Sequence, residues 1–122
     1  MESKRFSILA FKYAFAGIVS ALKEEPKLHF HFLAGLVVLI LSFILKISKE
    51  DWMIIIFLIG FVIAVELRNT AIEAVVDHLI QTPHPGAKLA KDISAGAVLI
   101  AALTSAIIGA MIFLPYITNG QY

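Results

Sequence analysis

The 122-residue chain contains no cysteine and few charged residues. Without cysteine, disulfide bonds, thiolate zinc sites and thiol catalysis are excluded for this chain. Charged residues make up 16% of the sequence, below the roughly 25% typical of soluble domains, and hydrophobic residues make up 60%. A chain this short has too much surface to hide that apolar excess in a core. We therefore predict an integral membrane protein that forms one domain over residues 1–122.

The chain also lacks the phosphate-binding motifs of soluble nucleotide enzymes. It contains no GxxxxGK[ST] loop and no HRD or DFG element, and its glycines are isolated from one another. Its formal net charge of +1 gives no reason to expect a nucleic-acid partner. P-loop enzymes, protein kinases and nucleic-acid-binding proteins are therefore disfavoured.

Residues 4–23 are predicted to form an amphipathic helix at the membrane surface. The basic side chains Arg5, Lys12 and Lys23 fall within about 20° of one another on a helical wheel, which is typical of an interfacial helix. A signal peptide is the alternative, but Lys12 interrupts the apolar core that such a peptide requires. Pro26 follows this helix and separates it from the next, because proline disrupts a helix interior.

Three further helices, at residues 28–46, 51–80 and 87–117, are predicted to cross the membrane. Ser48, followed three residues later by an acidic side chain, is typical of the N-cap of the second span. The uninterrupted apolar stretch of that span, Trp52–Val65, is shorter than the roughly 20 residues needed to cross the hydrocarbon core. The second helix must therefore continue into the charged turns that follow it. The third span is rich in small residues, which favour close packing between membrane helices.

The distribution of lysine and arginine predicts the orientation of the three spans. These residues concentrate before the first span and between the second and third, whereas the C-terminal tail has none. The positive-inside rule therefore places the N-terminus in the cytoplasm and the C-terminus outside. The expected fold is all-α, with an amphipathic N-terminal surface helix and three transmembrane helices.

The sequence ELRNTAIEAVVDH places several polar side chains at the end of the second span. On a helix, Glu66, Asn69, Glu73 and Asp77 fall within an arc of about 80°, and we call these four residues the polar ridge. Arg68 points to the opposite side. A solvated helix end is the simplest alternative, but Glu66 directly follows fourteen apolar residues. Ionisable groups inside a membrane span are costly and usually functional, so the ridge is predicted to be a functional site.

The chemistry of the ridge is sufficient for phosphoryl transfer. Carboxylates crowded together repel one another unless a proton or a cation relieves the charge. Oxygen ligands suit magnesium, which proteins commonly hold with one or two carboxylates and substrate phosphates. A nearby lysine would complement the phosphates, and a remaining carboxylate would accept a hydroxyl proton.

Two other classes of protein remain as alternatives. An ion or proton carrier lined by carboxylates would carry acids near mid-span, whereas the polar ridge lies at one end of its helix. A structural membrane-protein subunit without catalytic activity is the other alternative.

The block ELRNTAIEAVVD, followed by AKLAKDISAGAV, resembles the bacterial diacylglycerol kinase/undecaprenol kinase family. The Lys91–Asp92 pair lies fourteen residues after Asp77, and the similarity extends over the whole chain. HPGAKLAKD and the short N-terminal region are most similar to Gram-positive members that phosphorylate undecaprenol. The resemblance implies a homotrimeric kinase of the bacterial cell membrane that uses ATP and Mg²⁺, with active sites between subunits. Undecaprenol is the expected lipid alcohol, and diacylglycerol is the alternative.

The resemblance also implies roles for individual residues. Glu66 is expected to be the general base toward the lipid hydroxyl, and Glu25 and Glu73 are expected to bind magnesium. Glu24 competes with Glu25 for the metal, but the position of Glu25 beside Pro26 favours it. The residues expected to contact ATP are Tyr13, Glu25, Asn69, Glu73, Asp77, Lys91 and Asp92.

The chain departs from the family pattern at a few positions. Arg68 replaces an aliphatic residue, and Gly86 stands where an aliphatic residue is common. The family pattern has an arginine near the N-terminus that contacts the nucleotide. Phe6 occupies its place in this chain, with Arg5 beside it, and this nucleotide contact is therefore not assigned to a residue. His29 and His31 point apart on a helix, which argues against joint metal binding, and both are expected at the membrane interface.

Overall fold

The computed structural model describes residues 2–118, with side chains from Lys4 onward, and these residues form four α-helices without a β-strand. The helices are α1 (Glu2–Glu24), α2 (Pro26–Leu45), α3 (Lys49–Leu79) and α4 (Pro85–Thr118). Each end lies within two residues of the end predicted from the sequence. The all-α class is therefore confirmed for the described part of the chain.

Local residue chemistry sets the ends of the helices. Pro26 is in the first turn of α2, where its missing N–H has no intrahelical partner to lose. Lys46 ends α2 in a left-handed conformation with φ of 51°, and its N–H donates to the Phe43 carbonyl. Ser48 caps α3, because its Oγ accepts a hydrogen bond of 3.1 Å from the Asp51 N–H. The N-cap predicted at Ser48 is thus confirmed.

The central helix is α3, which packs against α4 and α2, while α1 contacts α2 and α3. A small buried core joins the α2–α3 turn to the end of α4 and consists of Ile47, Ile55, Ile112 and Phe113. Tyr116 strengthens this junction, since its hydroxyl accepts a hydrogen bond of 2.9 Å from the Ser48 N–H and donates one of 2.7 Å to Asp51 Oδ2. The core thus fixes one end of α3, and the polar ridge lies toward the other end.

Large apolar side chains lie on the outside of the helices. Phe11 on α1 is 70% exposed, Phe43 on α2 is 75% exposed, and Phe57 on α3 and Ile100 on α4 are each 68% exposed. Apolar surface of this extent is expected where a protein meets lipid or another subunit. The exposed residues therefore agree with the predicted membrane location.

Three of the described helices are long and apolar enough to cross a membrane, and the segments concerned are Lys4–Glu24, Pro26–Leu45 and Pro85–Thr118. This set includes α1, which the sequence predicts at the membrane surface, and it does not include α3. Length and composition alone do not place a helix in a bilayer. The surface position of α1 and the crossing of the membrane by α3 therefore stay predictions.

Candidate active site

The polar ridge follows α3 from the protein interior to its surface. Glu66 and Asn69 are buried, with 1% and 3% of their surfaces exposed, whereas Glu73 is partly buried and Asp77 is exposed. Asn69 Nδ2 donates a hydrogen bond of 3.0 Å to Glu73 Oε1, which links the middle of the ridge. Arg68 is exposed, in agreement with its predicted place on another side of the helix. The ridge therefore combines a desolvated end with a hydrated end.

The two carboxylate oxygens of Glu66 have different surroundings. Oε2 lies 3.4 Å from Nε2 of His31, which belongs to the neighbouring helix α2. Oε1 is buried and has no hydrogen-bond partner within residues 2–118. A buried polar atom left unpaired costs about 1–3 kcal/mol, and more when it is charged. Such a cost is expected where an atom is kept available for a ligand or for catalysis.

Glu73 and Glu25, the two expected magnesium ligands, have different local settings. Glu73 Oε1 lies 3.9 Å from Nζ of Lys27, an exposed side chain on α2. Glu25 occupies the N-cap position of α2, and its side chain makes no capping hydrogen bond within the described chain. Among residues 2–118, no group of three or more His, Cys, Asp or Glu side chains is arranged to hold a metal ion.

The donor chemistry of the ridge nevertheless fits magnesium. Asn69 Oδ1 is buried and finds no hydrogen-bond partner in the part of the chain that the structure describes, and the Glu73 carboxylate lies next to this amide. Both groups offer the hard oxygen atoms that magnesium prefers. Because this ion usually takes only one or two protein carboxylates and completes its shell with phosphate and water, a set of fewer than three acids is sufficient.

A second polar group joins the exposed end of the ridge to α4. Lys91 Nζ lies 2.9 Å from Asp77 Oδ1, and Lys88 Nζ lies 2.6 Å from Asp92 Oδ2 one turn along the helix. All four side chains line a cleft of about 490 Å³ between the end of α3 and the start of α4. Ion pairs with this degree of exposure are weak, because solvent screens the charges. The lysines can therefore exchange carboxylates for phosphate groups at small cost.

Two other cavities meet at His31. A pocket of about 360 Å³ is lined by Glu66 and Asn69 of the ridge and by apolar side chains of α4. A mainly apolar cavity of about 440 Å³ lies between α2, α3 and α4. Phe30, His31 and Ala102 line both spaces. The buried carboxylate of Glu66 is thus placed beside a volume that suits a hydrocarbon chain.

The similarity to known proteins covers most of the chain. Residues 12–113 match the family model of prokaryotic diacylglycerol kinase. The chain belongs to this family. It is 46% identical over 114 residues to the undecaprenol kinase of Bacillus subtilis (strain 168), which covers 93% of this chain and 92% of that protein. The membership predicted from ELRNTAIEAVVD and AKLAKD is confirmed.

Two other relatives of this chain are named diacylglycerol kinases. The protein from Synechocystis sp. is 35% identical over 109 residues, which covers 88% of this chain and 62% of that protein. The protein from Pseudomonas aeruginosa is 31% identical over 102 residues, which covers 84% of this chain and 83% of that protein. All three relatives are lipid kinases by name, so the predicted class of enzyme is confirmed.

The structure brings most, but not all, of the predicted site residues of this family member together. The four ridge residues share one face of α3, and Lys91 reaches the ridge through Asp77. Tyr13 is 69% exposed on α1 and makes no hydrogen bond or ring contact with the other described residues. The nucleotide contact expected for Tyr13 stays a prediction.

Sequence reasoning missed two basic residues of α2 that face the ridge. His31 lies beside Glu66, although the sequence predicts only an interfacial location for it, and Lys27 lies beside Glu73. Residues 27 and 31 are four positions apart, so both occupy one face of a helix. This four-residue spacing, together with the carboxylates at positions 66 and 73, is the sequence signal from which the two pairings could have been predicted.

Proposed function

We propose that this protein is an ATP- and magnesium-dependent lipid kinase that converts undecaprenol to undecaprenyl phosphate at the cytoplasmic face of the bacterial cell membrane. The observation that carries the proposal is the buried carboxylate of Glu66, whose pocket adjoins an apolar cavity. The 46% identity to an undecaprenol kinase favours undecaprenol as the acceptor. Diacylglycerol is the alternative acceptor, because the other two relatives are named for it.

In the proposed reaction, Glu66 is the general base toward the lipid hydroxyl. Oε1 accepts the hydroxyl proton while the hydroxyl oxygen forms a bond to the γ-phosphorus of ATP. The bond between that phosphorus and the β,γ-bridging oxygen breaks, and ADP leaves. The proton remains on Glu66 until it is lost to solvent after the lipid phosphate departs. A positioned base of this kind accelerates a reaction by about 10²- to 10⁴-fold.

Glu73 and Glu25 would hold the magnesium ion, which supplies positive charge to the phosphates of ATP when it is bound. Asn69 fixes the Glu73 carboxylate through its hydrogen bond of 3.0 Å. Lys27 lies close enough to Glu73 to contact a phosphate group brought to this part of the ridge. These side chains together would orient the γ-phosphate toward the lipid hydroxyl.

The nucleotide would occupy the cleft between α3 and α4. Lys91 would exchange its contact with Asp77 for a contact with a phosphate group, which would free the Asp77 carboxylate to contact the nucleotide. Asp92, which is paired with Lys88 one turn away, would contribute a further nucleotide contact. Tyr13 would reach the nucleotide from the surface helix.

The functional unit that we propose is a homotrimer with active sites between neighbouring subunits, its N-terminus in the cytoplasm and its C-terminus outside. Within one chain, Tyr13 is exposed, and no residue of the apolar segment Lys4–Glu24 is fully buried. Both observations leave a place for a neighbouring subunit. Native mass spectrometry of the detergent-solubilised protein measures the subunit number, and an active monomer would contradict the trimer.

The proposed activity is tested with purified protein in lipid bilayers, Mg-ATP, and either undecaprenol or diacylglycerol. We expect radiolabelled phosphate to move from the γ-position of ATP to undecaprenol, with a higher kcat/KM than for diacylglycerol. The opposite preference would assign diacylglycerol as the acceptor. A folded protein that labels neither lipid would overturn the kinase proposal.

A further inference from the structure

We infer that His31 is a positioning residue that holds the Glu66 carboxylate so that Oε1 faces the acceptor hydroxyl. This inference rests on the proposed function, since it assigns a task to His31 only if Glu66 is the base. It follows from the contact between α2 and α3, from the unequal surroundings of the two carboxylate oxygens, and from the place of His31 between two cavities.

The first argument is the asymmetry at Glu66. A carboxylate has two chemically equal oxygens, so only its surroundings decide which one receives a proton. Here Oε2 faces the imidazole of His31 at 3.4 Å, whereas Oε1 has no hydrogen-bond partner in the described part of the protein. The imidazole beside Oε2 therefore leaves Oε1 as the oxygen available to a substrate.

The second argument is that His31 is itself held in place. Its side chain is only 15% exposed, and its ring packs edge-on against Phe30, with ring centroids 5.6 Å apart and an interplanar angle of 76°. A partly buried ring with an aromatic neighbour has few alternative rotamers. The imidazole therefore gives the carboxylate a fixed reference on a neighbouring helix rather than a mobile counter-charge.

The third argument is the location of His31 with respect to the two cavities. It lines the pocket that contains Glu66 and also the mainly apolar cavity between α2, α3 and α4. An acceptor whose hydrocarbon lies in the apolar cavity and whose hydroxyl meets Glu66 would therefore lie against His31. The same side chain would thus set the direction of the base and the approach of the lipid hydroxyl.

The inferred role makes a specific kinetic prediction. Misplacing a catalytic group by about 1 Å can lower a rate by about 10²-fold. His31→Leu should therefore lower kcat at saturating lipid by about 10- to 100-fold, because Glu66 loses the contact that orients it. The KM for Mg-ATP should stay within about twofold, since the nucleotide cleft lies at the other end of the ridge.

The experiment compares His31→Leu, His31→Gln and His78→Leu in the same bilayer assay. Glutamine keeps an N–H donor at nearly the reach of Nε2 and should restore most of kcat. His78 is the matched control, because its ring is exposed and the hydrogen bond that Gln81 donates reaches its backbone carbonyl rather than its ring. Thermal unfolding of each variant establishes whether it is folded. If His31→Leu does not fold, the kcat of His31→Gln tests the inference.

Each outcome is decisive for the inference. A lower kcat in His31→Leu together with a nearly wild-type kcat in His31→Gln supports the inference. The inference would be overturned if His31→Leu kept the wild-type kcat, or if a folded His31→Gln lost as much kcat as His31→Leu. A change confined to the KM for Mg-ATP would also overturn it. Wild-type protein that phosphorylates no lipid would instead overturn the proposed function, so the two failures are distinguishable.

Discussion

Replacing Glu66 by glutamine separates the proposed catalytic role of its carboxylate from its structural role. The substitution keeps the size and shape of the side chain but removes the negative charge and the ability to accept a proton. Glu66 is 1% exposed, so water cannot readily take over as the base at this position. The variant Glu66→Gln should therefore fold normally and lose turnover.

The size of each effect follows from the surroundings of Glu66. Loss of a general base lowers kcat by about 10²- to 10⁴-fold, which corresponds to about 2.7–5.4 kcal/mol of transition-state stabilisation. Stability should not fall, because the wild-type carboxylate already buries Oε1 without a hydrogen-bond partner among the described residues. A neutral amide is cheaper to bury than a carboxylate, so the free energy of unfolding should stay equal or rise.

Three measurements test this prediction. Transfer of labelled phosphate to undecaprenol reports kcat, calorimetric titration with Mg-ATP reports nucleotide affinity, and thermal unfolding reports stability. The control Glu50→Gln removes an exposed carboxylate from the opposite end of α3 and should retain wild-type turnover. If Glu66→Gln turns over at the wild-type rate, Glu66 is not the base. If it binds Mg-ATP much more weakly, its role lies in nucleotide binding instead.

Three further substitutions probe the rest of the site and the fold. Lys91→Met should raise the KM for Mg-ATP by roughly 10- to 100-fold, since hydrogen bonds between charged groups are among the stronger ones; an unchanged KM would remove Lys91 from the nucleotide site. Asn69→Leu leaves Glu73 without its amide donor and should lower kcat by roughly 10- to 100-fold, and a retained rate would show that this support is unnecessary. Tyr116→Phe removes the hydroxyl that bonds to Asp51 and should lower the free energy of unfolding by about 1–3 kcal/mol, measured by denaturant titration, while kcat at a temperature where the variant is folded stays unchanged.

The helices and the ridge could be predicted from the sequence because both depend on local spacing. Pro26 and the Ser48 cap set helix ends through interactions within a few residues of themselves. The four ridge residues share a face because 3.6 residues make one turn, whatever surrounds the helix. The catalytic class followed from a long sequence block, and the family comparison confirmed it.

The contacts between helices could not be predicted, because they depend on how each helix is rotated against its neighbours. The pairing of His31 with Glu66 joins positions 35 residues apart in sequence, and the bond from Tyr116 to Asp51 joins positions 65 apart. No local periodicity relates such positions. The place of α1 is open for the same reason, since a helix whose apolar residues are exposed takes its position from lipid or from another subunit.

The burial of Glu66 has a consequence for the choice of nucleophile. A base that is open to bulk solvent deprotonates water as readily as an alcohol, and an enzyme with such a base would hydrolyse ATP whenever the lipid is absent. Glu66 lies at the buried end of the ridge, and its pocket adjoins an apolar cavity that admits hydrocarbon more readily than water. Its depth in the protein would thus couple ATP consumption to the presence of the lipid.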